Sequence, residues 1–413
     1  MLLQCTEPDC TGRQERVFCL NHKHYCLILQ EPAWSRAPRA RLAGRRETGF
    51  MSSQLLSPID LGSGVVLQAP VILAPMAGVT DLPFRKLARR LGAGLVVSEM
   101  IASWAMVREN ENTLRMAEVA DDGPNSVQLA GCDPDAMGQA ARIAVDRGAD
   151  IIDINFGCPV KKVAVGQLAG SALMRDEVQA ARLLEGVVRA VDVPVTLKMR
   201  MGWDHDHLNA PRLARIAQES GIRMVTVHGR TRQQFYNGTA DWYFVRKVVD
   251  AVDLPVIVNG DILTVEDARV ALERSGARGV MIGRGCYGRP WFLAQVARAL
   301  VDGVHVAEPD LAAEKAIVLE HYGMMIDHFG AHPGLRLARK HVSWYSAGLP
   351  DSAGFRAAVN RVDTVDAAIG MIHEFYDRQI AAGNVRGPRP STVEAERAAA
   401  QTVTTQIATA QAA

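Results

Sequence analysis

Cys158 ends a short aliphatic run between Gly157 and Pro159, three residues after Asn155. A thiol at such a point can surrender a proton near neutral pH while needing little room. Asn155 can offer a donor and an acceptor to the edge of a heterocycle. Lys198 and Arg200 interrupt another apolar run, Val195-Thr196-Leu197-Lys198-Met199-Arg200, where a buried cation needs a partner. Beside an electron-accepting ring, such a cation stabilises the negative charge that develops on reduction. His228 closes a third run ahead of Gly229-Arg230-Thr231, placed to bond a ring or a phosphate oxygen. The turns Asn259-Gly260-Asp261 and Gly283-Arg284-Gly285 let a phosphate approach the backbone, with Arg284 as a charged clamp. Ala74-Pro75-Met76-Ala77-Gly78 forms a shelf of small residues on which a flat ring can rest, and Gln128 lies in a run of its own.

These groups share one structural address. The β-branched runs are 71–77, 95–100, 126–131, 151–157, 195–200, 224–230, 256–261 and 279–283, and their starts are 23 to 44 residues apart. Amphipathic helical stretches fill the gaps at 82–91, 134–147, 176–191, 211–220, 242–252 and 265–275, with another at 291–300. Such alternation implies parallel strands joined by right-handed crossovers. Eight units over about 240 residues predict a closed (β/α)8 TIM barrel rather than an open sheet. Every residue singled out above then falls at or near the C-terminal end of a strand, where barrels place catalytic groups. The two glycine turns follow strands seven and eight, the usual place for phosphate. The longest connection follows strand four, and its first part (158–174), rich in glycine and small residues, suits an active-site loop. From 311 to 382 the strand signal stops, and four helical stretches at 314–329, 334–346, 351–361 and 364–382 predict a C-terminal helical bundle.

The chain of 413 residues is 48% hydrophobic and 22% charged, enough for a large aliphatic core and a smaller second one. No apolar run reaches the roughly 18 residues of a membrane span, and no early signal-peptide pattern is present, so a cytoplasmic protein without a membrane partner is expected. Seven cysteines do not form a disulfide framework, and Cys132 and Cys286 read as structural. Cys5, Cys10, Cys19 and Cys26 crowd near His22 and His24, but their spacing fits no structural zinc pattern, and no metal is expected. The domain division is therefore 1–50 as an extension that is unstructured or lies ahead of the true start, 51–310 as catalytic barrel, 311–386 as helical domain, and 387–413 as a disordered tail. The net charge of +1 speaks against nucleic acid only on average. Between residues 331 and 361, Arg336, Arg339, Lys340, Arg356 and Arg361 face Asp351 alone, with His332, His341, Trp344 and Tyr345 among them. That is a local basic face of the kind phosphate contacts require.

As a set, Ala-Pro-Met-Ala-Gly-Val-Thr-Asp (74–81), Asn-Phe-Gly-Cys-Pro-Val-Lys-Lys-Val (155–163), Lys-Met-Arg-Met-Gly-Trp (198–203), His-Gly-Arg-Thr (228–231), Asn-Gly-Asp-Ile (259–262) and Gly-Arg-Gly (283–285) resemble the tRNA-dihydrouridine synthases. Lys161-Lys162-Val163 and Ala169-Gly170-Ser171-Ala172-Leu173 are similar to the bacterial B-type branch. The resemblance spans about residues 55–380 and does not reach residues 1–50. It implies a flavoprotein in which NADPH (or NADH) reduces FMN, hydride passes to C6 of a D-loop uridine in tRNA, and Cys158 protonates C5. It further implies that Pro75, Met76, Ala77, Gln128, Lys198 and His228 hold the flavin, while Asn259, Gly260, Asp261, Gly283 and Arg284 take its phosphate end. Asn155 and Arg200 would contact the base, and Arg336, Arg339 and Lys340 the tRNA. Three other readings of the residues stay open: a flavin barrel reducing a free pyrimidine, as dihydroorotate dehydrogenases do, a Schiff-base aldolase using Lys198, and an RNA-binding module without catalysis.

Overall fold

Aliphatic and β-branched residues dominate the central strands, and their side chains are buried on both faces, the pattern a parallel sheet demands. The computed structural model describes residues 56–396, apart from 121, 122, 165 and 167. Its eight barrel strands, in chain order, are Val71–Leu73, Leu95–Val97, Asn125–Ala130, Ile151–Phe156, Val195–Arg200, Met224–His228, Val256–Asn259 and Gly279–Ile282. Each pairs in parallel with the next, and the eighth returns to the first, closing a TIM barrel. The connecting helices begin where the sequence supplies a cap. Asp81, Asp133, Asp176 and Asp241 each accept a hydrogen bond from the third backbone N–H beyond, at 2.8–3.0 Å. Thr264 and Asp267 form a reciprocal capping box at the helix Val265–Ser275.

The lower half of the barrel is apolar. Ile72, Leu95, Ile151, Met224, Ile257 and Met281 fill it, and Ile59, Leu61 and Leu67 pack into the same cluster. Those last three come from an antiparallel hairpin, Ile59–Gly62 with Val65–Leu67, that the sequence pattern does not reveal. Its turn residues Ser63 and Gly64 have φ of 50° and 78°, as a two-residue hairpin turn needs. Three- and four-residue strands carry too little alternation to read. The same brevity hides the helices Ser103–Val107 and Glu111–Met116 in the second connection.

After the barrel, Asp310 caps the helix Leu311–Phe329, followed by Ala331–Ser346, Ser352–Val359 and Val365–Ala381. These helices seat on the barrel through rings. Tyr287 stacks on Trp344 with centroids 4.1 Å apart, and Phe84 lies 5.5 and 5.7 Å from His321 and His341. His341, Trp344 and Tyr345, read in the sequence as companions of a basic RNA face, are packing residues of this junction instead.

The disordered tail expected from residue 387 is not what residues 388–396 form. Residues 388–396 run back over the barrel: Val393 is 1% exposed within the main core, Ser391 is buried, and Glu396 pairs with Arg274 at 2.8 Å. A polar, alanine-rich composition concealed the few residues that make this contact. Residues 397–413, and the N-terminal extension with its cysteine and histidine cluster, lie outside the described residues. Among the described residues, no helix is long and apolar enough to cross a membrane, and no group of three or more His, Cys, Asp or Glu could hold a metal ion.

One buried ion pair ties the last segment to the bundle. Glu314, fully buried, accepts Arg386 Nε at 2.6 Å and Tyr376 Oη at 2.7 Å, while Arg386 also bonds the carbonyls of Tyr345 and Ala347. Removing one partner of such a pair leaves an uncompensated charge. Glu314→Leu is expected to cost about 3–5 kcal/mol in chemical denaturation, and Glu314→Leu combined with Arg386→Met to recover much of it. Equal losses in the single and double variants would show that the pair does not carry this junction.

Candidate active site

Above the apolar floor, the inward positions turn polar. Asp153 lies at the centre: its two oxygens accept Gln128 Nε2 at 2.6 Å and Thr196 Oγ1 at 2.6 Å. Gln128 Oε1 accepts Asn155 Nδ2 at 2.7 Å, so the third, fourth and fifth strands are stitched across the lumen. Burial raises the Asp153 pKa, and the bonds from Thr196 and Gln128 pull the other way. Asp153 and Asn155 are two residues apart on one strand, so they share a face. That spacing could have revealed Asp153 in the sequence, where only Asn155 was singled out.

Cys158 sits one step higher, half-buried at the rim. Asn155 Oδ1 accepts its backbone N–H at 2.9 Å and that of Gly157 at 3.1 Å, while the Cys158 carbonyl accepts Ser171 Oγ at 2.8 Å. The long fourth loop thus folds back onto the thiol's own backbone. A Cβ on Gly170 would stand 3.1 Å from Cys158 Cβ, and Gly170 has φ of 59°, so glycine permits this close return. Cys286 differs in kind: burial pushes its thiol up to about 12.

The mouth carries an excess of positive charge. Lys198 has no hydrogen bond or ion pair among the described residues, and desolvation, then the neighbouring Arg200, lower its pKa to about 8. Arg200, 2% exposed, is satisfied by carbonyls alone: Gly157, Thr231 and Phe235, each at 2.8 Å. Burial lowers the His228 pKa well below its usual value, helped by Arg200, Lys198, Arg230 and Arg284, so its imidazole is neutral at physiological pH. Four cations therefore gather near two carboxylates, Asp153 and Asp261. Tyr236, which no sequence pattern marked, lies 5.6 Å from Arg200 and 5.1 Å from Arg284 as a cation–π partner, and 6.4 Å from His228. It belongs to an irregular loop, where periodicity offers no signal.

The seventh and eighth strand ends behave differently from simple donors. Asn259 Nδ2 is spent on Met281 O at 2.7 Å. The Asp261 carboxylate accepts Arg230 at 2.9 and 2.5 Å, Arg284 at 2.9 Å and Ala240 N at 2.8 Å. Asp261 therefore aims two guanidiniums rather than facing an anion itself. Gly260, with φ of 116°, lies so close to Ala240 and His228 that an added Cβ would stand 2.7 and 2.8 Å from their atoms. On the opposite side, a Cβ on Gly283 would touch Met76 Sδ at 3.4 Å, which brings the first and eighth strand ends together. The shelf of Pro75, Met76 and Ala77 is held by Thr80, whose Oγ1 accepts Met76 N at 3.0 Å, and Glu99 accepts the N–H of Gly78. Small residues, a net positive mouth and an unpartnered ammonium together fit a flat, electron-accepting ring that carries a phosphate.

The helical part contributes unevenly. Lys340 reaches the barrel, with Nζ 3.4 Å from where a Gly78 Cβ would stand. Arg336 is exposed on the surface. Arg339 is turned inward, donating to Val362 O at 3.0 Å with Asp363 at 3.9 Å, so it fastens a turn between helices.

Residues 72–380 match the family model described as dihydrouridine synthase. A probable tRNA-dihydrouridine synthase of Rickettsia bellii is 54% identical over 320 residues, 77% of this chain and 98% of the relative. The tRNA-dihydrouridine synthase B of Xanthomonas campestris is 50% identical over 312 residues, 75% of this chain and 94% of the relative. A probable tRNA-dihydrouridine synthase of Rhodobacter capsulatus is 49% identical over 318 residues, 76% and 97% of the two chains. Similarity of this extent over nearly the whole of each relative places the chain in the dihydrouridine synthase family.

Proposed function

We propose that the chain reduces the C5–C6 double bond of a D-loop uridine in tRNA, in the cytoplasm, as an FMN- and NADPH-dependent dihydrouridine synthase. The observation that carries this reading is the placement of Cys158 at the rim of a positive mouth, with Lys198, Arg200, Asn155 and His228 around it. FMN, when bound, supplies the hydride that NADPH provides and uracil C6 receives. Lys198 stands ready as the cation beside the ring, since no hydrogen bond or ion pair among the described residues holds it. The Cys158 thiol gives its proton to C5, and the thiolate left behind faces Lys198 and Arg200. Met76 and its neighbours would hold the ring, and the backbone near Gly260 and Gly283, with Arg230 and Arg284, would receive its phosphate. The uridine must leave its stack to reach this depth. Of the three bundle cations assigned to tRNA, Arg336 and Lys340 are free to meet its phosphates, and Arg339 is engaged elsewhere. Family membership favours this reading over the aldolase, the free-pyrimidine enzyme and the non-catalytic module.

Mapping dihydrouridine by mass spectrometry in tRNA from cells lacking this protein tests the activity itself: loss of the modification at a D-loop position supports it, and an unchanged map overturns it. Cys158→Ala is expected to keep its yellow flavin and lose about 100-fold or more of its turnover on folded tRNA, the scale of a missing general acid. Wild-type turnover in that variant would remove the proton-donor role.

Lys198 generates a pH-dependent expectation. Its pKa is about 8 in the folded chain and about 10.5 when exposed. The unfolded chain therefore binds this proton more tightly. Burying the charge destabilises the flavin-free protein fully below pH 8, and the cost fades toward pH 10.5. Lys198→Met should raise the flavin-free melting midpoint by several degrees at pH 7, with little gain at pH 10.5, while slowing flavin reduction by NADPH. A lower midpoint at pH 7, or an unaltered reduction rate, would contradict this account.

A further inference from the structure

The segment that returns over the barrel ends on the loop assigned above to the flavin phosphate. Asp261 is one of the few non-glycine residues with positive φ, at 54°, directly after Gly260. Its carboxylate is held by Arg230, Arg284 and Ala240 N, as described. Its backbone carbonyl has a separate partner: Thr392 Oγ1 donates to Asp261 O at 2.7 Å, across 131 positions of sequence. The next turn of chain is fastened from the same side. Asp267, fully buried, accepts Leu263 N at 3.1 Å and Thr264 N at 3.0 Å on one oxygen. Its other oxygen accepts Ser391 Oγ at 2.7 Å and Val393 N at 3.0 Å.

We propose that Ser391 and Thr392 are positioning residues of the cofactor's phosphate site, lying beyond the residues 72–380 that the family model matches. A left-handed residue is costly for a side chain to hold and persists only where its surroundings over-determine it. The peptide after Asp261 is planar and trans, so fixing its carbonyl also fixes the N–H of Ile262 in the opposite direction. Asp261 in turn aims Arg230 and Arg284. Thr392 therefore acts on both the backbone and the guanidiniums of the phosphate-end loop without touching the ligand. Ser391 does the same for the first turn of the following helix through Asp267. The strap is anchored at both ends, by Arg386 on Glu314 and by Glu396 on Arg274, so its hydroxyls reach the loop with little freedom. Phosphate recognition by preset backbone and guanidinium groups depends on such fixing, because donors that must be reorganised on binding lose affinity.

The inference rests on the flavin reading above, and its test separates the two. The full chain is stripped of flavin and titrated with FMN and with riboflavin, which lacks the phosphate, using quenching of flavin fluorescence. Thr392→Val is expected to weaken FMN about tenfold, the scale of one lost buried hydrogen bond, and riboflavin by less than twofold. Ser391→Ala should act in the same direction, and Thr392→Ser, which keeps the hydroxyl, should restore FMN affinity. Equal weakening of both ligands, or unchanged FMN affinity with normal wild-type binding, would overturn the strap's role and leave the flavin reading intact. A wild-type chain that binds neither ligand would overturn both.

Discussion

Charge held in the mouth of the barrel sets the terms for everything around it. Four cations with two carboxylates cannot be balanced by ion pairs, so the fold supplies carbonyl oxygens instead. Arg200 takes three of them, from a strand end and from two points of an irregular loop. That loop is consequently bent inward, and Tyr236 comes with it. Lys198 is left without a hydrogen bond or ion pair among the described residues, which is tolerable because the lower barrel is apolar, well packed and able to bear a local cost. Below it Asp153 organises amide and hydroxyl groups from three strands, and on the fourth, sixth and seventh strands the lumen passes from aliphatic to polar within two residues.

Much of this arrangement was legible in the sequence because its determinants are local and periodic. All eight barrel strands appear as β-branched runs, since a parallel strand buried on both faces must be aliphatic throughout. Polar residues interrupting those runs, such as Gln128, Asn155, Lys198, Arg200 and His228, stand out against that background, and the fold brings them to one end. What stayed hidden depends on partners distant in sequence. Tyr236 has meaning only beside Arg200 and Arg284. Asp261 looked like an anion-site residue, yet its carboxylate aims arginines. Arg339 and Trp344 looked like RNA contacts because composition cannot distinguish a basic helix face from one that packs on Tyr287 or bonds Val362. The hairpin over the barrel floor is too short for periodicity, and the returning segment is too polar.

The junction between barrel and bundle is aromatic where it is tight and charged where it meets the mouth. Phe84, Tyr287 and Trp291 pack against rings from the helices, while Lys340 leans over Gly78 at the edge of the shelf. Rings fix the relative placement with few rotatable bonds, so a single lysine on the second helix keeps a defined position above the barrel. The basic helix face and the barrel mouth are thereby set at one distance from each other.

The segment from Arg386 to Glu396 bears on how this protein should be divided. The match to the family model ends at residue 380, and a shortened protein cut there would still contain all of it. It would nonetheless leave Glu314 charged in an apolar interior, Asp267 with an empty oxygen and Asp261 with a free carbonyl. Shared ancestry marks one boundary and folding marks another, and in this chain they differ by about one turn of helix and a short extended run.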